Sequence, residues 1–306
     1  MWRINSWAAF VDGDMPEPDH LLANVAKLFS LGRPLWGPYL KSGLLVMELV
    51  RVGEKILSEY ESTSKRTRDL ALLCMRVNYY VGQYSLAEDL VSNCLRFIIS
   101  VTEERDTLMS VQPREPLLAY VSSRLLADPS ARLNALRSWE SCFASGSVNP
   151  GDIGEQIAIL VLLFAFDDAC QPFNELPGPI SFLAFWTALF GADRILPDNN
   201  DNPLTDSSVF FNHFIRVSAP PSQAVIEESY RRGAAIFLPA FYKGADALIP
   251  LKTPNGIGAI LVQVKNRQDD KLTSKLEESL KGSIKDGIEA LLLEEELPGG
   301  YFGMGI

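Results

Sequence analysis

Residues 231–267 read RRGAAIFLPAFYKGADALIPLKTPNGIGAILVQVKNR, and no other stretch restricts the fold as tightly. Three short apolar runs lie in it, at 234–238, 245–251 and 258–264. Gly244 separates the first two, and Thr253-Pro254-Asn255-Gly256 separates the second from the third. Runs this short, rich in Ile, Val, Leu and Phe and bounded by Gly and Pro, predict buried strands of a small sheet. The Thr-Pro-Asn-Gly text predicts a tight turn, making the last two strands a hairpin.

Polar residues interrupt this apolar text at its ends. Asp246 stands at the start of the second strand, and Gln263 and Lys265 close the third. A period of two puts Gln263 and Lys265 on one face of their strand. In a hairpin the start of one strand lies beside the end of the other, so Asp246 is expected to meet both at one sheet edge. A carboxylate and a side-chain carbonyl there suit a hard divalent cation such as Mg²⁺ or Mn²⁺, which takes oxygen ligands and keeps several waters. A lysine beside them would orient or deprotonate a water, or stabilise charge building on a phosphate.

Asp246 followed by Gln263-Val264-Lys265 resembles the active-site signature of the PD-(D/E)XK, or restriction-endonuclease-like, nuclease superfamily. There an aspartate on the second core strand is followed on the third by Glu-x-Lys or, in variants, Gln-x-Lys. The wider wording is similar to the nuclease modules of fungal Crinkler-like proteins, over roughly residues 210–267. It runs Arg232-Gly233-Ala234-Ala235-Ile236, Gly244-Ala245-Asp246 and Gln263-Val264-Lys265-Asn266-Arg267. Gly32-Arg33-Pro34-Leu35-Trp36 is similar to text ahead of that module. The resemblance implies a metal-dependent endonuclease acting on DNA, or a weak or inactive nuclease fold that binds nucleic acid or a protein. It implies Asp246 and Gln263 as ligands of Mg (or Mn) and Lys265 as the water-orienting group. The family also places a supporting glutamate on the helix before the strands. Glu155 and Glu228 both answer to it, with Glu227 behind. A P-loop ATPase is often fused to such modules, and no Gly-x(4)-Gly-Lys-Ser/Thr occurs in this chain.

The implied fold is α+β: a mostly helical N-terminal part (1–148), then a nuclease-like domain (149–306) with a helical insertion. Its αβββαβ core would have strands at about 234–265. The fourth strand has only 288–293 to supply it, text that reads equally well as helix, so the core is expected to be incomplete at its C-terminal end. The glycine-rich tail after Glu294-Glu295-Glu296 is expected to be mobile.

Charge bears on the partner. With 28 Lys+Arg against 38 Asp+Glu the chain is formally −10, whereas nucleic-acid affinity comes largely from phosphate neutralisation. DNA must then meet a local basic face. The candidates are Arg231, Arg232, Lys252, Arg267 and Lys271, with Lys243 and Lys275 nearby. Cys74, Cys94, Cys142 and Cys170 are scattered through apolar helical text and read as buried free thiols of a reducing compartment. The two histidines, His20 and His213, exclude a multi-histidine metal site. No apolar run reaches the roughly 20 residues of a membrane span. The expectation is a soluble intracellular protein, compatible with the nucleus.

Before the sheet, helices are predicted at 44–60, 68–81, 86–99, 117–126, 133–144 and 156–169, from apolar residues spaced by three and four. The basic loop 62–68 could meet phosphate but reads first as solvated. Trp36 reads as a plug at a helix corner, Asp167 and Asp168 as part of no constellation, and His213 as a structural histidine.

Overall fold

The architecture was analysed in a computed structural model. The structure describes residues 29, 36–41, 46–58, 64–77, 79, 81, 84–103, 108–112, 115–145, 153–171, 178–193, 204–239, 242, 244–264 and 301–305. Among them the chain is a mixed α+β protein. Helices α1 (Trp36–Lys41), α2 (Val46–Ser58), α3 (Lys65–Arg76) and α4 (Tyr84–Asn93) come first. A hairpin follows, β1 (Phe97–Val101) with β2 (Leu108–Val111), and then α5 (Pro116–Leu125), α6 (Pro129–Ala144) and α7 (Ile153–Ala169). The remainder is β3 (Ile180–Ser181), α8 (Phe182–Phe190), β4 (Ser208–Val209), β5 (His213–Arg216), α9 (Gln223–Arg231), β6 (Ala234–Phe237), β7 (Ala247–Thr253), β8 (Gly256–Gln263) and β9 (Tyr301–Gly305).

Local chemistry fixes most helix starts. Ser64, Asp128, Ser181 and Ser222 each accept a backbone N–H three residues on, capping α3, α6, α8 and α9. Proline opens α5 and α6, where its missing N–H is no loss. The turn from α9 into β6 needs Gly233, whose φ of +64° is left-handed. A Cβ there would also come within 2.8 Å of the Phe210 ring.

The three strands expected between 234 and 265 are present as an antiparallel meander, β6–β7–β8. The β7–β8 hairpin turns at Pro254-Asn255, with Thr253 opposite Gly256 and the Asn255 N–H donating to Thr253 Oγ1 at 3.2 Å. On its other edge β7 pairs with β6 through Ala247 and Leu248, then with β4 through Leu251 and Lys252. Pro250, which has no N–H to give, falls where that edge changes partner. Helix α9 packs against β6, β7 and β8.

Four expectations are corrected. The helix expected over 86–99 stops at Asn93, and Leu95 takes a left-handed φ of +61°. The β-branched text after it forms β1, and buried Arg96 pins the hairpin by donating to Ser110 Oγ at 2.7 Å and to the Tyr79 carbonyl at 2.6 Å. His213, read as a structural histidine, is buried with the aromatic text around it, and His213–Arg216 is also a strand, parallel to β6. The glycine-rich tail does not end in loose chain: Tyr301–Gly305 pairs in parallel with β8, from Ala259↔Tyr301 to Gln263↔Gly305. Glycine leaves backbone donors and acceptors intact, so a strand can form where side-chain pattern gives no sign of one. The expected strand at 288–293 lies outside the described residues.

The fourth correction concerns Asp167. It is fully buried and receives both Nη groups of Arg76, Nη2 to Oδ1 at 2.9 Å and Nη1 to Oδ2. Ser123 Oγ donates to Oδ1 at 2.6 Å, and Arg76 Nε donates to the Asn212 carbonyl at 2.8 Å. One cluster thus joins α3, α5, α7 and the residue ahead of β5. Around it the apolar core is continuous across residue 148. Phe166 meets Phe211 at 4.9 Å, and rings then run through Phe214 to Phe237 on β6.

Trp36 is the plug its context suggested, fully buried with its indole N–H on Glu115 Oε2 at 2.5 Å. Cys74, Cys94 and Cys142 are buried free thiols and Cys170 is half-buried. No helix among the described residues is long and apolar enough to cross a membrane.

Removing one partner of a buried, hydrogen-bonded ion pair strands a charge in low dielectric. Asp167→Ala should therefore destabilise the protein by about 3–5 kcal/mol, read as a lower urea midpoint. Arg132, bonded to half-exposed Asp168 at 2.8 Å, gives the contrast: Arg132→Ala should move the midpoint by about 1 kcal/mol or less.

Candidate functional site at the β7–β8 strand ends

Asp246 is fastened on both sides by its backbone before its side chain does anything. Its N–H donates to the Val262 carbonyl at 2.8 Å, and its carbonyl accepts the Leu238 N–H at 3.1 Å. Ala247 stands opposite Val262, so the same antiparallel register places Asp246 opposite Gln263. Facing residues of an antiparallel pair share one face of the sheet, and their side chains meet. Gln263 Nε2 donates to Asp246 Oδ2 at 2.6 Å, and the Val264 backbone N–H donates to the same oxygen at 2.6 Å. Gln263 is buried, with Nε2 also 3.3 Å from the Val264 carbonyl, while Asp246 is half-buried. The acid and the amide expected to converge do converge. Lys265 lies outside the described residues, as do Arg267, Lys271, Lys243 and Lys275.

The two candidate glutamates separate by their helices. Glu155 stands in the first turn of α7, whose main packing partner is α8. Glu228 is carried by α9, which packs directly on β6, β7 and β8. Its side chain is 16% exposed, and Oε1 has no hydrogen-bond partner. Burial raises its carboxyl to about 7 against the opposing pull of Arg232 and Arg231. Glu228 makes no hydrogen bond to Asp246. Glu227 accepts from Gln223 Nε2 at 2.7 Å.

Of the basic residues expected to face DNA, Arg231, Arg232 and Lys252 are described. Arg231 lies 4.0 Å from both Glu227 and Glu228. Arg232, at the C-cap of α9, is buried deeply enough that desolvation lowers its pKa, with Glu228 working against the shift. Both stand at the C-terminal end of α9, just ahead of β6. Lys252 sits six residues along β7 from Asp246, roughly 20 Å away at strand rise, paired with Ser208 and Ile257.

The donor set fits a hard cation in part. Asp246 supplies a carboxylate, but Gln263 aims its N–H at that carboxylate rather than its carbonyl at the same point. A half-turn of the amide would exchange the two. Among the described residues no three His, Cys, Asp or Glu side chains gather as a metal site. The Val264 N–H, a principal anchor of Asp246, was not legible as such, because every residue but proline carries the same donor.

The raised Glu228 carboxyl sets a pH dependence. Its folded pKa of about 7 exceeds the ordinary glutamate value of 4.5, so the folded state holds more protons between those values. Stability from this group is highest below the unfolded pKa and falls as pH rises towards 7. In Glu228→Gln that decline should flatten, measured as the urea midpoint from pH 4 to pH 8 relative to wild type.

No curated protein and no solved structure matches the chain. A family model does, over residues 58–288, from the end of α2 past β8. By that match, covering most of its length, the chain belongs to the DUF8736 family, a domain of unknown function.

Proposed function

We propose that the chain is a metal-dependent nuclease of the PD-(D/E)XK type, hydrolysing phosphodiester bonds of DNA at the β7–β8 strand ends. The observation that carries the reading is the Asp246–Gln263 pairing, an acid and an amide from facing strands in contact at 2.6 Å. The order of elements supports it: helix α9, the β6–β7–β8 meander, then β9 parallel to β8. That order fits an αβββαβ core, whose second helix would fall in text outside the described residues.

In this reading Asp246 holds the cation, and Gln263 joins through its carbonyl or keeps the carboxylate in place through its N–H. Lys265, two residues on, orients the attacking water or stabilises charge on the phosphate. Glu228 on the covering helix is the supporting carboxylate. A divalent cation there supplies a Lewis acid that polarises the phosphate and lowers the pKa of bound water. Gln263 in place of a glutamate removes one negative charge, so metal is held weakly.

Purified protein should nick supercoiled plasmid in Mg²⁺ or Mn²⁺. Asp246→Ala and Lys265→Ala should each abolish nicking, and Gln263→Glu should lower the metal concentration required. Undiminished nicking in Asp246→Ala would end the assignment.

One observation favours a second reading, a nuclease fold kept as a binding platform. Asp246 Oδ2 already accepts two N–H donors at 2.6 Å, which closes the strand ends with no ion. Titration calorimetry separates the two: no heat with Mg²⁺ or Mn²⁺, alongside retained DNA binding, selects the platform.

A further inference from the structure

Away from the strand ends, a shallow cleft of about 270 Å³ opens between the first turn of α3 and one face of α6. Helix α3 contributes Lys65, Arg66 and Asp69. Helix α6 contributes Asn134, Arg137, Ser138 and Ser141, whose spacing of three and four puts them in one stripe. The two helices pack against each other, so the cleft has a fixed floor.

Three cations face one carboxylate there, in a chain whose formal charge is −10. Among the described residues Lys65, Arg66 and Arg137 enter no salt bridge. Arg66 Nη2 reaches only Cys142 Sγ, at 3.5 Å, a weak acceptor readily given up. Ser138 also lines the cleft, and its hydroxyl makes no hydrogen bond among the described residues and reaches solvent. Solvent there can be displaced by an acceptor oxygen from outside, beside the guanidinium groups of Arg66 and Arg137. The positive end of the α3 dipole, at Lys65, adds to the field.

We propose that this cleft binds a phosphate group, with Arg66 and Arg137 neutralising its oxygens and Ser138 and Ser141 donating hydroxyl hydrogen bonds. Guanidinium forks and hydroxyls match phosphate oxygens in geometry and charge. The volume lies at the lower end of small-molecule cavities, enough for a phosphate with its ester group. The phosphate belongs to a polynucleotide backbone or to a small free ester, and the recognition chemistry is shared. Asp69 opposes the ligand and limits its affinity.

The test uses the full chain in EDTA and chloride buffer, which keeps it independent of any metal chemistry at Asp246. Two probes are applied: inorganic phosphate followed by phosphorus NMR, and a fluorescein-labelled DNA duplex followed by anisotropy across a salt series. Arg66→Ala/Arg137→Ala should weaken binding roughly tenfold or more. For the duplex it should also reduce the slope of log K against log salt by about two. Asp69→Asn should tighten binding by about threefold, a change that loss of fold cannot imitate. Binding of the duplex alone identifies a polynucleotide source, and competition by inorganic phosphate identifies a free ester as sufficient; both support the site. Failure of wild type to bind either probe, or equal binding by the double variant and no gain in Asp69→Asn, overturns it.

Discussion

Arg76 and Asp167 are 91 residues apart in the chain, and both are almost wholly removed from water. Neither charge is tolerable there alone, so each dictates where the other's helix must lie. The remaining hydrogen-bonding capacity is committed too, to Ser123 on α5 and to the Asn212 carbonyl. From Asn212 the constraint passes into the sheet, because its N–H donates to the Gly233 carbonyl at 2.8 Å. Gly233 is the residue whose left-handed backbone turns α9 into β6. One buried ion pair therefore sets the helical layer against the sheet that carries Asp246.

Polar groups sit at the margins of that sheet and not within it. The strand interiors of β6, β7 and β8 are apolar and buried. Where their hydrogen-bonded ladder ends, backbone donors fall free and side chains can approach one another. Asp246 exploits both: it takes one hydrogen bond from Gln263 and one from the Val264 main chain. Those same bonds restrain its carboxylate, so one geometry serves to orient an acid for chemistry or to close the strand ends.

The distribution of basic residues follows burial more than sequence position. Arg231 and Arg232 adjoin the candidate site in the chain, yet both are drawn towards Glu227 and Glu228 at the helix–sheet junction. Lys65, Arg66 and Arg137 come from distant text and emerge together on an open face. Desolvation explains the difference: a guanidinium at a packed interface requires fixed acceptors or a carboxylate close by, whereas one at a cleft mouth keeps water until a ligand replaces it.

Local pattern was sufficient for much of this molecule. The three strands, their tight turn and the opposition of Asp246 and Gln263 all follow from short-range chemistry, in which a period of two or a Pro-Asn-Gly turn has few alternatives. Elements without such a signature were not legible. β9 lies in glycine-rich text and exists because β8 presents an open edge; β5 is a run of core residues until β6 lies beside it; β1 shares its opening text with the helix that precedes it. Asp167 looked idle for the same reason, since its partner is far off in the chain. What the amino-acid sequence alone determined was where chain segments stiffen and which polar residues interrupt them. Tertiary structure alone decided which segments become neighbours, because a buried charge, an unpaired strand edge or an uncommitted hydroxyl acquires its meaning from groups that only folding brings near.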